Sequence, residues 1–305
     1  MPTLDYVTLD VFTDRAFGGN PLAIVTDARE LDGAAMQRIA AEFNYSETTF
    51  VLPPPEGSDC LATVRIFTPV NELPFAGHPN VGTAYYLARR GELFGQPVGD
   101  RFRFAQTAGP VDCRIRREGE RISASIAAPR PLSIGEAVDP AIVAACASLA
   151  PSAVSSANHE PVFVSVGLPF AVAELGSLDD LARARPNGTA FTEADQLYYN
   201  ADDHFPLFIY VRVDGDPFTL RARMFAPLSN IPEDPATGSA SAALCAYLAS
   251  LTPESDGELG FTLDQGVEMG RPSRIEVTVE KQGGKLGATC IGGTCVEMMR
   301  GRLSF

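Results

Sequence analysis

At 305 residues the chain is long enough for two domains of ~150 residues each, and 45% hydrophobic with 20% charged content is ordinary for a globular protein. A formal net charge of −14 argues against nucleic acid or an anionic membrane as the main partner. No run approaches ~18 uninterrupted apolar residues, and the start MPTLDYVTLDVF has neither a basic n-region nor an apolar h-region, so neither a membrane span nor a signal peptide is expected. The six cysteines, Cys60, Cys113, Cys146, Cys245, Cys290 and Cys295, form no CxxC pair and read as reduced core residues of a cytoplasmic protein. Three histidines, His78, His159 and His204, give little from which to build a zinc site.

In chain order, YVTLDVF sets Val7, Leu9 and Val11 on one face at period two, FGGNP signals a turn, and LAIV is a short buried strand. A helix follows over 33–43: Asp32 can cap it, and Met36, Ile39, Ala40 and Phe43 form its apolar stripe. TTFVL and ATVRIF read as strands. HPNVGTAYYLARRG reads as a second helix, with Pro79 in its first turn and Gly91 at its stop. Cys113, Ile115, Ile122, Ala124 and Ile126 alternate about RREGER, the pattern of a hairpin. PRPLSIGEAVDP is Pro-rich and polar enough for a linker. A helix near 139–149, strands at PVFVSV, LFIYVRV and LRARMF, a helix in PEDPATGSASAALCAYL, and strands RIEVTVE and ATCIGG complete the series.

One comparison organises these elements. ELPFAGHPNVGTAYYLA (72–88) aligns without a gap with EDPATGSASAALCAYLA (233–249), 161 positions further on. Glu72 meets Glu233, Pro74 meets Pro235, Gly77 meets Gly238, and Tyr86-Leu87-Ala88 meets Tyr247-Leu248-Ala249. Just upstream, RIFTP (65–69) resembles RMFAP (223–227), with three extra residues inserted afterwards. A strand, an acidic turn and an apolar helix occur twice, which is the signature of a duplicated α/β unit.

The second helix of the pair has no polar face, so it must be surrounded on every side. Two such helices, each preceded by a strand, predict two similar domains, each with sheet wrapped about a central helix. The polar turn at each helix start then lies where the sheet opens. Unpaired N–H groups and a partial positive charge are available there, and glycine allows close approach. Gly77-His78 and Gly238-Ser239 therefore read either as two anion-binding turns or as plain capping, with Ser239 or Thr237 as an N-cap. Asp234 either favours the helix dipole or orients an amine or hydroxyl of a ligand. His78 is either a proton shuttle or a structural histidine. Glu47, in NYSETTF, is either a solvated acid at a strand start or, in a dry cleft, a base of raised pKa that can return its proton.

Together VFTDRAFGGNPLAIV, NYSETTFV, ELPFAGHPNVGTAYYL, QTAGPV, PEDPATGSASAAL and GRPSRIEV, in this order over nearly the whole chain, resemble the PhzF-like family, named for the isomerase of phenazine biosynthesis. That family is similar to the diaminopimelate epimerases. The resemblance implies an α/β (α+β) fold of two similar domains, each a curved mixed β-sheet around a central apolar helix, with the active site between them. The expected domains are 1–128, with the C-terminal strand 296–305, and 129–295. The resemblance further implies isomerisation of a dihydro-hydroxyanthranilate by proton transfer with no cofactor, and a homodimer. The family's catalytic glutamate matches Glu47, its histidine His78, its aspartate Asp234 and its serine Ser239. The epimerases carry a catalytic cysteine at each helix turn; AGH and TGS stand there in this chain, so a two-thiol racemase lacks its acid and its base.

The expected activity is cofactor-independent isomerisation of a small carboxylated substrate, with no metal. Glu47 takes a proton from carbon and redelivers it on the same face. The Gly77-His78 and Gly238-Ser239 turns hold the carboxylate or the developing charge, while His78 and Asp234 orient polar groups. The alternatives are an epimerase or racemase using Glu47 with His78, and a non-catalytic metabolite-binding protein.

Overall fold

The computed structural model describes residues 3–198 and 204–304. Two compact units emerge from its internal packing: Met1–Pro129 with Ile291–Phe305, and Arg130–Cys290. In chain order the first part of the chain forms β1 (Thr3–Val11), β2 (Asn20–Val25), α1 (Gly33–Phe43), β3 (Glu47–Leu52), β4 (Ala62–Phe67), β5 (Glu72–Leu73) and α2 (Gly77–Arg90). It continues with β6 (Glu92–Leu93), β7 (Gln96–Pro97), β8 (Arg101–Ala105), β9 (Val111–Glu118) and β10 (Arg121–Ala127). Next come β11 (Ser133–Ala137), α3 (Pro140–Cys146), β12 (Val154–Ser155), β13 (Val162–Ser165), β14 (Pro169–Leu175), α4 (Leu178–Arg183) and α5 (Gly188–Leu197). Last are β15 (Leu207–Arg212), β16 (Thr219–Ala226), β17 (Ile231–Asp234), α6 (Gly238–Leu251), β18 (Gly257–Gln265), β19 (Ser273–Gln282), β20 (Lys285–Gly293) and β21 (Cys295–Ser304).

In the first unit the strands run β21-β1-β2-β3-β4-β8-β9-β10, with β2–β3 and β4–β8 parallel and the other neighbours antiparallel. In the second they run β11-β13-β14-β15-β16-β18-β19, with β14–β15 and β16–β18 parallel. The first six parallel and antiparallel steps are the same in both. The duplication seen in one strand, turn and helix therefore extends through each sheet. The register aligns the two copies: Phe50 pairs with Arg65 as Ile209 pairs with Arg223.

Each sheet wraps an apolar helix. All of α2 is buried except Tyr86, Arg89 and Arg90, and it packs on β1, β2, β3, β9 and β10. All of α6 is buried except Ser239, Ser250 and Leu251, and it packs on β13, β14, β18 and β19. Alanine is the best helix former and its small side chain lets strands close in from every direction. This is why a helix with no polar face is stable here. Outside the sheets, α1 sits on Leu4, Val25, Phe50 and Phe67 in the first unit, and α3, α4 and α5 cover Ala171, Ala173, Ile209 and Phe225 in the second. Strands such as β14 and β15 thus face a helix on both sides, and their runs are buried without alternation.

The fit around α2 is tight. A Cβ at Gly82 would lie 2.5 Å from Leu22 Cδ2 and 2.7 Å from Val11 Cγ2, both in the core. Gly82→Val is expected to destabilise the protein by ~2–3 kcal/mol through overpacking, read as a lower urea midpoint with an unchanged slope. A midpoint equal to the parent's would contradict the tight packing.

Local readings survive well. Asp32 accepts from Ala35 N at 2.7 Å and caps α1, which stops at the left-handed Asn44. Gly91 ends α2 at φ 79, and β9–β10 form the expected hairpin. Three readings change. The stretch taken as a linker contains β11, which pairs with β13; all five of its residues are exposed, so it carries no apolar alternation to mark a strand. The helix near 139–149 ends at Cys146, because the chain turns left-handed at Ser148 (φ 55). On β1 the polar positions Thr8 and Asp10 are as buried as Val7, Leu9 and Val11, so the strand does not have the solvent face that period two suggests.

Candidate active site

The first unit brings Glu47 and His78 together. Glu47 opens β3 immediately after the turn that ends α1, and His78 lies in the first turn of α2. His78 Nε2 stands 3.5 Å from Glu47 Oε2, with side chains only 6% and 16% exposed. Burial among apolar and backbone atoms disfavours the charged carboxylate and pushes Glu47 up to about 7, the Ser46 hydroxyl pulling weakly the other way. Ser46 Oγ also lies 3.1 Å from Asn20 Oδ1, which places the residue before Glu47 beside the start of β2. One turn along the helix, the Thr49 and Thr83 hydroxyls meet at 3.0 Å and fix β3 against α2.

The turn before α2 is held by two amides that sequence reasoning missed. Asn80 and Gln106 exchange reciprocal hydrogen bonds of 3.0 and 2.7 Å. Asn80 also donates to Ala76 O at 2.9 Å. Ala76 caps the helix without any side-chain bond, so the first N–H groups of α2, at Gly77 and His78, are not used by a capping side chain.

The second unit carries Asp234, Gly238 and Ser239 on the matching turn. Asp234 ends β17 and is buried, Gly238 opens α6, and Ser239 is half-buried beside it. Thr237 is the N-cap by position, yet its hydroxyl makes no cap bond and donates instead to Asp234 Oδ2 at 2.6 Å. Gln265 occupies the place of Gln106 at the end of the following strand and bonds both Thr237 and the Asp234 carbonyl. Gly266 passes so close that a Cβ there would lie 2.5 Å from Pro235 O. Its φ of +70 also suits glycine alone. The signal for the two glutamines was available: each closes the strand following a repeated helix, in FRFAQ and FTLDQ.

The acids at the head of the repeat have a different task from Asp234. Glu72 and Glu233 each grip an arginine bidentately, Arg65 at 2.7 and 2.6 Å and Arg223 at 2.8 and 2.8 Å. Each guanidinium also lies over a phenylalanine, Phe67 or Phe225. The groups suited to chemistry, by contrast, are not duplicated. By register Pro206 stands where Glu47 stands, and by alignment Leu73 stands for Asp234 and Ser239 for His78. A cavity of about 1200 Å³ in the first unit, lined by Tyr6, Arg29, Tyr86, Arg89 and Arg300, contains none of these residues. Two of its arginines already pair with Asp27 and Glu297, so we give it no catalytic role.

Comparison with known proteins bears on this geometry. The family model described as phenazine biosynthesis-like protein matches residues 9–301. The chain is 38% identical over 305 residues to an uncharacterized isomerase of Mesorhizobium japonicum, covering 99% of each. It is 34% identical over 303 residues to trans-2,3-dihydro-3-hydroxyanthranilate isomerase of Pseudomonas fluorescens, covering 98% of this chain and 99% of that one. Among solved structures, the phenazine biosynthesis protein of the PhzF family from Bacillus anthracis superposes with a TM-score of 0.88 at 27% identity over 100% of both chains. A hydroxyproline epimerase from Agrobacterium vitis shares the fold, with a TM-score of 0.65 at 11% identity over 99% of this chain and 92% of that one.

Proposed function

The chain belongs to the phenazine biosynthesis-like protein family and is an isomerase, and on that premise we propose that Glu47 moves a proton between carbons of a small carboxylated cyclic metabolite of the dihydro-hydroxyanthranilate class. The observation that carries the reading is the Glu47–His78 pair: a shielded carboxyl titrating at about 7, 3.5 Å from an imidazole nitrogen. At neutral pH such a carboxyl is present both as base and as acid, which is what a residue that takes a proton and gives it back requires. One proton leaves one carbon and one is returned to another, the carboxyl trading its proton with solvent in between. The double bond shifts, and the step consumes no oxidant, reductant or co-reactant. His78 orients a polar group beside the reacting carbons, and the N–H groups at Gly77 and His78 favour the substrate's negative charge. The same reading gives the Gly238-Ser239 turn the substrate carboxylate and Asp234 an orienting role.

The 3.5 Å contact disfavours the epimerase alternative. Inversion needs an acid and a base on opposite faces of one carbon, hence about 6 Å or more apart, two contacts of about 3 Å each. Glu47 and His78 stand too close to hold a carbon between them, and transfer along one face is the chemistry they suit.

The test is proton NMR of trans-2,3-dihydro-3-hydroxyanthranilate in deuterated water with the purified protein. Deuterium entering at a carbon, with migration of the double bond, is the expected result; no exchange at any carbon would refute the assignment. The pH dependence is specific. Because the base works deprotonated, kcat/KM is expected to rise with pH and level off above about 7, the value of Glu47, and to fall tenfold per unit below it. An inflexion at 4–5 would mean that the base is an ordinary exposed carboxylate.

A further inference from the structure

We propose that Thr237 and Gln265 are positioning residues that aim the Asp234 carboxylate through a hydrogen-bond chain able to run in only one direction. The proposal rests on the reading above, in which Asp234 orients the substrate.

The direction follows from proton counting. Gln265 Oε1 lies 3.0 Å from Thr237 N, a backbone N–H that can only donate, so this end of the amide is the oxygen. Gln265 Nε2 lies 2.8 Å from Asp234 O, a carbonyl that can only accept, so that end is the nitrogen. The amide cannot be flipped. Its first N–H goes to the Asp234 carbonyl and its second to Thr237 Oγ1 at 3.0 Å. The Thr237 hydroxyl, already accepting from Gln265, has one hydrogen to give, and it goes to Asp234 Oδ2 at 2.6 Å. Oδ2 is therefore an acceptor, held from behind by a hydroxyl that is itself polarised by an amide. Gln265 is fully buried, and Thr237 and Asp234 are each 8% exposed, so water does not compete freely for these bonds.

The duplicated turn separates this role from a merely structural one. In the first unit Gln106 occupies the place of Gln265, and Asn80 bonds Ala76 O as Ser241 bonds Thr237 O at 2.9 Å. The back bond to the N-cap carbonyl is common to both copies, while the glutamines differ: Gln106 bonds the Asn80 side chain and Val64 O, and Gln265 bonds Thr237 and Asp234 O. The position of Thr237 is held in the first unit by Ala76, and α2 forms without a hydroxyl there. The position of Asp234 is held by Leu73, and no acid is present to be aimed. The hydroxyl accompanies the acid. It makes no cap bond to α6, which removes the ordinary reason for a threonine at an N-cap.

The test uses Thr237→Val, which keeps the shape and removes the hydroxyl, and Thr237→Ser, which keeps the hydroxyl. Crystal structures of both read the position of the Asp234 carboxylate without reference to any reaction. The expected result is a carboxylate turned away in Thr237→Val and unmoved in Thr237→Ser; a carboxylate unmoved in Thr237→Val overturns the proposal. Deuterium exchange into trans-2,3-dihydro-3-hydroxyanthranilate should fall about 10-fold to 100-fold in Thr237→Val and stay within about threefold of the parent in Thr237→Ser. In an Asp234→Asn background Thr237→Val should cost nothing further, because the threonine acts through the acid. Losses that multiply instead would also overturn it. Should Asp234→Asn exchange at the parent's rate, the orienting role given to Asp234 above fails. The carboxylate positions in the two threonine variants still decide whether Thr237 and Gln265 aim it.

Discussion

Glu47→Gln is expected to lower proton exchange into trans-2,3-dihydro-3-hydroxyanthranilate by about 10²-fold or more while leaving the affinity for an unreactive analogue, 3-hydroxyanthranilate, near the parent's. Glutamine keeps the shape and polarity of glutamate but neither accepts a proton nor returns one. The effect should therefore appear in kcat, with calorimetric binding unchanged. His78→Ala and Asp234→Asn should instead damage rate and binding together, since both are assigned to orientation. If Glu47→Gln exchanges at the parent's rate, Glu47 is not the base and His78 becomes the leading candidate.

The same substitution should make the protein more stable at neutral pH. Glu47 is raised from 4.5 to about 7, so between those values the folded protein binds a proton that the unfolded chain has lost. Unfolding free energy then falls as pH rises through that window and stays low above it. A shift of this size corresponds to an upper bound of roughly 3 kcal/mol, which Gln does not forfeit because it never ionises. Urea unfolding of Glu47→Gln against the parent should show no gap near pH 4 and the largest gap above pH 7. A gap that is the same at both pH values would mean that the carboxyl is not shielded. Burial of a carboxyl that ionises near neutral pH is a cost to the fold, which the proposed role of Glu47 would account for.

The second large effect lies in the repeated arginine grips. Glu233→Ala is expected to destabilise by about 3–5 kcal/mol, and the corresponding Glu72→Ala by only about 0–1 kcal/mol. The bidentate geometry is nearly the same in the two pairs, and the environment differs. The Arg223 side chain is 2% exposed, boxed in by Glu233, by the carbonyls of Leu181 and Ala184 at 2.8 Å each, and by the Phe225 ring. Among the described residues, removing Glu233 leaves Arg223 bonded to two neutral carbonyls and to no carboxylate. Arg65 and Glu72 are 31% and 34% exposed, and water replaces what is lost. Thermal or urea unfolding of the two variants checks the difference directly. Equal losses would show that pair geometry, and not desolvation, sets the cost. A double replacement of Arg223 and Glu233 by apolar residues of similar volume should recover much of the loss, because it removes the stranded charge along with its partner.

Much of this molecule was legible in one dimension. The spacing of glycines, prolines and Tyr-Leu-Ala between 72–88 and 233–249 determined that a unit is duplicated, and the absence of a polar face on α6 determined that sheet must surround it. Asp32, Asn44 and Gly91 marked helix ends because caps and left-handed stops act over a few bonds of chain. Glu47, His78 and Asp234 stood out as chemical groups in otherwise apolar or turn-forming stretches. Only the tertiary structure decided the surroundings of each of these groups. It set His78 3.5 Å from Glu47, and it withdrew the carboxyl from water, which pushes it up to about 7. It sent the Thr237 hydroxyl to Asp234 and away from the helix that its position would have it cap. It buried Arg223 and left its twin Arg65 half-exposed, and it paired the fully exposed β11 with β13 where the residues alone read as a linker. The division has one cause. Periodicity and capping are carried by neighbours in the chain, whereas desolvation, cross-strand register and the choice of hydrogen-bond acceptor depend on atoms that only folding brings near.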